Sequence, residues 1–336
     1  MKTKTTSSVT RVKSIRSSAS ASVAASTSTS PINPIWYILI LIYLFGCFLL
    51  FLSAIGIQPH TITLPQFKFS NIPSASFIMS ATAPFKTLSA KAAFQLDQEL
   101  MSTGEFSIDQ LMELAGLAVA KTIYKEYPPN ETTTTTKNKF NPNKVLVLVG
   151  PGNNGGDGLV AARHLKLWNY DPIIYYPKRP ASNQLYSRLI KQLQDLNVPE
   201  LTTLTEVKHL LDSRDSKIKI IIDSIFGFSF KPPIREPFKD LINYLGQNHD
   251  HLPPIVSVDI PSGWDVDEGP GTEIDIQASC LISLTAPKPC AKLFVNSGPD
   301  KIHYLGGRFI NPRIAKEYGI EDIVNKYQGD ELIVKL

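Results

Sequence analysis

Gly150-Pro-Gly-Asn-Asn-Gly-Gly-Asp-Gly158 stands directly behind the apolar run Val145-Leu-Val-Leu-Val149, and these two stretches decide the fold. A short β-branched run that ends in glycines reads as a buried strand turning sharply into a helix. The helix is expected to begin near Gly156 and to carry Leu159, Val160 and Leu165 inward. Backbone N–H groups at such a helix start form an anion site, and glycines let a ligand approach the main chain closely. A nucleotide is the natural occupant.

Gly150, Gly152 and Gly155 satisfy the G-x-G-x-x-G spacing of dinucleotide-binding loops, although three glycines alone are a weak signal. A hydride-transfer enzyme of that kind needs an acid at the end of the next strand to hold a ribose hydroxyl. Here the next strand, around Pro172–Tyr176, runs into Pro177-Lys178-Arg179, and Asp171 lies at its other end. Asp157 follows the glycines at once, where an anion would repel a pyrophosphate. Asn153, Asn154 and Asp157 instead offer oxygen atoms suited to hydroxyl groups or a hard cation. The loop therefore suits a nucleotide-like ligand held in a manner unlike that of a dehydrogenase.

Strand-like runs then alternate with helical ones. Val145–Val149, Ile173–Tyr176, Ile218–Ile222, Ile255–Asp259 and Cys280–Leu284 are the strands, with helices near 156–168, 183–196, 204–212 and 237–247 between them. Ser89 caps an earlier helix through Met101, and Ser107-Ile-Asp-Gln110 is a capping box for a second one. Residues 126–143, with five consecutive threonines, are a surface insertion without periodicity. Such alternation predicts an α/β fold, a Rossmann-like three-layer arrangement with a central, mainly parallel sheet.

Ligands of open parallel sheets sit beyond the carboxyl ends of the strands. The segments found there are the Asn-Asn-Gly-Gly-Asp loop, Asp223-Ser-Ile-Phe-Gly-Phe-Ser-Phe-Lys231, Asp259-Ile-Pro-Ser-Gly-Trp-Asp265 and Thr285-Ala-Pro-Lys288. Asp157, Asp223 and Asp259 are thus expected on one rim. Clustered carboxylates repel unless a cation or a proton relieves them, which predicts a bound cation, a raised pKa, or both. Phe226, Phe228 and Phe230 are candidates for stacking on a ring, with Phe226 equally suited to the core. His249 and His251 read as solvated, and His303 has no metal partner at a useful spacing.

Bulk composition sharpens this. Lys2, Lys4, Arg11, Lys13, Arg16 and Lys68 are six of the 34 basic residues, and no acid precedes residue 79. The overall charge of +4 among 336 residues therefore hides a near-neutral folded part, with 28 basic against 30 acidic residues. Lysine and arginine are scattered among acids there, which argues against a nucleic-acid-binding stripe. Cys47, Cys280 and Cys290 provide neither metal spacing nor a paired framework, as fits a reducing compartment.

Residues 1–34 form a basic, Ser/Thr-rich presequence that suits a mitochondrial transit peptide and plain disorder equally. Residues 35–57 are a candidate transmembrane segment, since no charge occurs between Arg16 and Lys68. Residues 58–80 form a proline-containing linker, and 81–336 are the folded domain. A start at Met79 would give a soluble protein, whereas the full chain would carry a membrane anchor through 35–57. Mitochondrion, cytoplasm or both are the expected compartments.

From about residue 85 to the end, the chain resembles the NAD(P)H-hydrate epimerases, the YjeF N-terminal domain family. The resemblance rests on Leu88-Ser-Ala-Lys-Ala-Ala93, Gly152-Asn-Asn-Gly-Gly-Asp-Gly158, Asp223-Ser-Ile-Phe-Gly-Phe-Ser-Phe230, Arg235-Glu-Pro-Phe238, Ser257-Val-Asp-Ile-Pro-Ser-Gly-Trp-Asp265, Leu284-Thr-Ala-Pro-Lys288 and His303-Tyr-Leu-Gly-Gly-Arg-Phe309. It implies repair of NADHX and NADPHX, nicotinamide cofactors hydrated at the ring carbon next to nitrogen. The R and S epimers would be interconverted so that a separate NAD(P)HX dehydratase can restore the cofactor. By the same resemblance Asn153, Asn154, Gly155, Gly156, Asp157, Gly227, Phe228, Ser229, Phe230, Lys231, Pro232, Pro233 and Asp259 would contact the substrate. Asn154, Asp223 and Ser262 would hold a potassium ion, and a homodimer is implied. Pro232-Pro233 departs from the family, many of whose members have glycine after the lysine matched by Lys231. Asp259 is the first choice for the catalytic acid or base, since Asp223 would be committed to the cation. The competing reading is a non-catalytic nucleotide- or protein-binding module of the same fold.

Overall fold

The computed structural model describes residues 85–130, 143–180, 183–213, 216–271 and 274–336, which belong to one compact unit, Met79–Leu336. The presequence, candidate membrane segment and linker of residues 1–80 lie outside the described residues. Among the described residues, no helix is long and apolar enough to cross a membrane.

Eight strands form one sheet: β1 (Lys144–Val149), β2 (Asp171–Tyr175), β3 (Glu200–Leu201), β4 (Ile218–Ser224), β5 (Ile255–Val258), β6 (Cys280–Leu284), β7 (Ile302–Gly306) and β8 (Ile333–Lys335). Their order is β3-β2-β1-β4-β5-β6-β7-β8, parallel throughout except for β8, which pairs antiparallel with β7. The helices are α1 (Ala90–Met101), α2 (Ile108–Glu126), α3 (Asn153–Leu167), α4 (Gln184–Asp195), α5 (Leu204–Asp212), α6 (Phe238–Gln247), α7 (Cys290–Asn296), α8 (Pro312–Glu317) and α9 (Glu321–Val324).

The near-continuous apolar character of β1, β4, β5 and β6 follows from helices on both faces, because parallel strands covered on each side expose neither. Alternate residues divide the interior in two. Leu146, Leu148 and Ile221 face a layer built with Leu96 and Leu100 of α1, Val207 of α5 and Leu241 and Leu245 of α6. Val145, Val147, Val149, Ile220 and Ile222 face Val119 and Ile123 of α2, Leu159 and Leu165 of α3 and Leu189 of α4. Ser89 caps α1 by accepting from the Ala92 N–H, and the capping box at Ser107 and Gln110 opens α2.

Two departures from the sequence reading bear on the site. Helix α3 begins at Asn153 rather than near Gly156, with Gly152 as its uncapped N-terminal residue. A turn of only three residues, Gly150 to Gly152, separates it from β1, so the Asn-Asn-Gly-Gly-Asp segment is the first helical turn and not a loop. Strands β3, β7 and β8 were not singled out by sequence. Two are very short, and β7 carries His303 and Gly306 within its run.

Between β1 and β4 the chain reverses its direction of travel across the sheet: it leaves β1 toward β2 and β3, then returns to the other side. Such a switch point opens a crevice at the carboxyl ends of the two strands.

Candidate active site

A cleft of about 480 Å³ lies at this switch point, within the usual size range of ligand pockets. Three sheet-end segments and one helix supply its polar wall. Helix α3 contributes Asn153, Asn154 and Asp157; the segment after β4 contributes Gly227 to Lys231; the ends of β5 and β6 bring Asp259 and Lys288. Helix α1 closes the opening with Phe94, Asp97, Gln98 and Met101.

Asp259 and Lys288 form a buried ion pair, with Lys288 Nζ donating to Asp259 Oδ1 and to the Leu284 carbonyl at 2.8 Å. The second oxygen, Oδ2, accepts from the Phe228 N–H at 2.8 Å. One donor is an ammonium group and the other a backbone N–H. Asp259 is in the left-handed region at φ 70°, and Thr285, one residue past β6, at φ 67°. A β-branched residue there is an outlier, and such strain, of order 1–3 kcal/mol each, concentrates at functional sites. At Asp259 it turns the side chain back toward the segment after β4. Close approach there requires Gly227: a Cβ on it would lie 3.1 Å from Asp259 Oδ2 and 3.3 Å from Asn154 Cβ.

Asp157 contrasts with its neighbour. It is only 8% exposed, and no hydrogen-bond donor among the described residues reaches its carboxyl group. Burial, then the Asp259 and Asp97 carboxylates, push its pKa well above the usual carboxylate range, with Lys288 pulling the other way. Asp97 is also raised, chiefly by burial, with Lys288 opposing and Asp259 assisting. Three acids thus share one ammonium group.

The sequence reading set Asp157, Asp223 and Asp259 on one rim. Asp157 and Asp259 do line the cleft, whereas Asp223 lies fully buried beneath it. Asp223 Oδ2 accepts from Ser257 Oγ at 2.8 Å and the Ser262 N–H at 2.9 Å, and Oδ1 from the Ile225 N–H at 3.3 Å. Burial still raises its pKa, against these hydrogen bonds. Ser262 Oγ accepts from the Phe226 N–H at 3.0 Å. Both polar atoms of the Asn154 side chain, on the wall of the cleft, are buried without a partner. An orphaned amide oxygen is a donor that suits a hard, weakly held cation. Among the described residues, no group of three His, Cys, Asp or Glu is placed to hold a metal ion.

Of the residues expected to touch a ligand, Asn153, Asn154, Asp157, Gly227, Phe228, Ser229, Phe230, Lys231 and Asp259 line the cleft. Gly155, Gly156, Pro232 and Pro233 do not form its wall. A Cβ on Gly155 would lie 2.0 Å from the Gly150 carbonyl oxygen, and one on Gly156 would lie 2.4 Å from Met112 Sδ. These two glycines let α3 pack against the β1 turn and against α2. The two prolines are exposed farther along the segment. Phe226 and Phe230 stack on each other at 4.5 Å, and Phe226 also packs edge-on against Phe238, which anchors that segment from within. Phe228 lies under Lys288 Nζ at 5.3 Å.

Asp97 and the role of Lys288 escaped the sequence reading. Phe94, Asp97, Gln98 and Met101 recur at i, i+3, i+4 and i+7 along α1, opposite Ala93, Leu96 and Leu100. A stripe of mixed polarity gives no hydrophobic period, so spacing alone does not expose it. Tyr186 lies on the apolar face of α4 with Leu185, Leu189 and Ile190, where it reads as core; its hydroxyl donates to Asn153 Oδ1 at 2.9 Å. The remaining expectations fall away from the cleft. Cys280 and Cys290 are free and buried, His249 and His251 are exposed, and His303 is buried with Nε2 on Ser283 Oγ at 2.9 Å. Beyond β2, where a dehydrogenase carries its acid, Arg179 pairs with Glu200.

Fold and cleft together define a doubly wound α/β protein whose switch-point site is built from carboxylates, an amide and a buried lysine. The chain belongs to the family described as YjeF-related protein N-terminus, which residues 108–290 match. Relatives include proteins named NAD(P)H-hydrate epimerase from Neurospora crassa, 48% identical over 75% of this chain and 96% of the relative, and from Schizosaccharomyces pombe, 47% identical over 74% and 95%. The crystal structure of yeast YNL200c superposes with a TM-score of 0.67 at 42% identity, over 75% of this chain and all of that one.

Proposed function

We propose that this chain interconverts the R and S epimers of hydrated NADH and NADPH as a step in nicotinamide cofactor repair. The observation that carries the reading is the switch-point cleft in which Asp157, Asp259 and Lys288 meet. The high identity to proteins named for this reaction, across nearly their whole length, supports it. The epimeric carbon bears a hydroxyl and a ring nitrogen, so hydroxyl departs to leave a nitrogen-stabilised cation, and water adds to the opposite face. Asp259, held between Lys288 Nζ and the Phe228 N–H, is the carboxylate that receives the proton of the incoming water.

Potassium fits the buried oxygens beneath the cleft. Asn154 Oδ1, Asp223 and Ser262 would hold it, and the ion would supply fixed positive charge under the segment after β4. The unpartnered Asn154 amide supports this assignment. The reading extends to a homodimer, to a separate dehydratase that consumes the S epimer, and to a chain that acts in mitochondria or cytoplasm, the long form anchored through 35–57.

The test uses the purified chain with chromatographically separated R-NADPHX, in potassium buffer and in buffer free of it. Conversion toward the S epimer, faster with potassium, is the expected result. A folded protein that leaves the R epimer unchanged in both buffers would overturn the reading.

A further inference from the structure

The cleft holds two carboxyl groups in opposite settings. Asp259 has two donors, Lys288 Nζ and the Phe228 N–H. Asp157 has none among the described residues, is nearly as buried, and stands one helical turn along from Asn153 on the wall of the same cleft. The groups that face it are Asp97 from α1, Tyr186 from α4, Asp259 past β5 and Lys288 past β6, with Lys231 farther along the wall. Lys288 donates its hydrogen bonds to Asp259 and a carbonyl, and acts on Asp157 only through space. One acid held by two donors, facing another that is held by none, is the arrangement that proton transfer in two directions requires.

We propose that Asp157 is the proton donor of the reaction, acting on one face of the hydrated ring while Asp259 acts as acceptor on the other. This rests on the epimerase reading and names the residue that the fold leaves for the acid role. The Asp157 carboxyl proton passes to the ring hydroxyl as the C–O bond breaks, and its electron pair departs on oxygen as water. The ring nitrogen lone pair forms the C=N bond. Water then adds to the opposite face, the C=N pair returns to nitrogen, and the water's proton passes to the Asp259 carboxylate. Asp157 is left ionised and Asp259 protonated, which is the state needed for the reverse reaction, so one proton serves both directions. Asp97, on the helix that closes the opening, adds negative charge that keeps the proton within the cleft.

The experiment compares the full chain with Asp157→Asn and Asp157→Glu, assayed on separated R-NADPHX, with folding followed by thermal melting. For Asp157→Asn, kcat should fall by about 10²–10⁴-fold with KM within a few-fold of the parent. Asp157→Glu, which keeps a carboxyl group, should recover part of that loss. Parental kcat in Asp157→Asn, or a loss carried by KM alone, would overturn the proposal, because either outcome makes Asp157 dispensable to chemistry. Should the amide variant fail to fold, a glutamate variant as inactive as an unfolded control while melting normally would overturn it also. An inactive parent chain would instead overturn the epimerase reading, so the two failures are distinguishable.

Discussion

Asp223 and Asp157 are the same residue type, both buried, both near the carboxyl edge of the same sheet, and they do opposite things. Asp223 accepts three hydrogen bonds, from Ser257, Ser262 and Ile225, and ties the carboxyl ends of β4 and β5 to the turn at Ser262. Asp157 accepts none from the described residues and faces the cleft. A buried carboxylate with its partners in place is part of the scaffold, whereas one on a cleft wall without protein partners is open to a ligand. The carboxylate beneath the cleft is thus fully paired, while the one on its wall is not.

The largest break in this comparison should come from Lys288, which belongs to the wall but is paired as Asp223 is. Lys288→Met leaves Asp259 buried beside two other acids, and denaturant unfolding should register a loss of about 3–5 kcal/mol. A loss under about 1 kcal/mol would mean that the ion pair does not hold the end of β5. Next comes Asp223→Ala, which orphans the Ser257 hydroxyl and the Ser262 N–H; at about 1–3 kcal/mol for each unsatisfied group, the unfolding midpoint should fall clearly.

Asp157→Asn should move the other way. The folded-state pKa of Asp157 is raised, so the native state binds its proton more tightly than the unfolded chain, and stability declines as pH climbs from about 4. The amide variant lacks that decline. Its advantage over the parent should widen with rising pH, by up to about 1.4 kcal/mol per unit until the carboxyl ionises. A stability difference between the two proteins that stays constant from about pH 4 to about pH 8 would remove the distinction between wall and floor.

The smallest effect concerns His303, on β7 beside β6, whose pKa burial lowers to about 3. A depressed histidine is neutral when folded and takes up a proton on unfolding, so stability is lost as pH falls below about 6.5. Urea titrations should show a loss of about 1 kcal/mol between about pH 6.5 and 5.5 from this group, and His303→Phe should flatten that part of the profile. An unchanged slope in the variant would place the acid sensitivity elsewhere.

Much of this architecture was legible in advance. The runs Val145–Val149, Ile218–Ile222 and Cys280–Leu284 are apolar on both faces, and the caps at Ser89 and Ser107 operate within three residues of themselves. The segments behind the strands located Asp157, Asp259 and the stretch from Gly227 to Lys231, because every parallel strand delivers its carboxyl end to the same edge. Edge strands β3 and β8, two and three residues long, were invisible since pairing with a neighbour defines them more than composition does. Asp97 was hidden by the mixed polarity of its stripe on α1, and the packing of Gly156 against Met112 of α2 joins segments far apart in the chain.

The amino-acid sequence by itself determined the order of the central strands and helices, their carboxyl edge and the residues gathered along it, since periodicity, caps and turns are properties of neighbours in the chain. Tertiary structure alone decided which acid is paired and which is left to hold a proton. Lys288 reaches Asp259 across 29 residues and Ser262 reaches Asp223 across 39, while Asp157 meets no donor among the described residues. Charge state depends on burial and on partners, and both are set only when distant segments close around the same cleft.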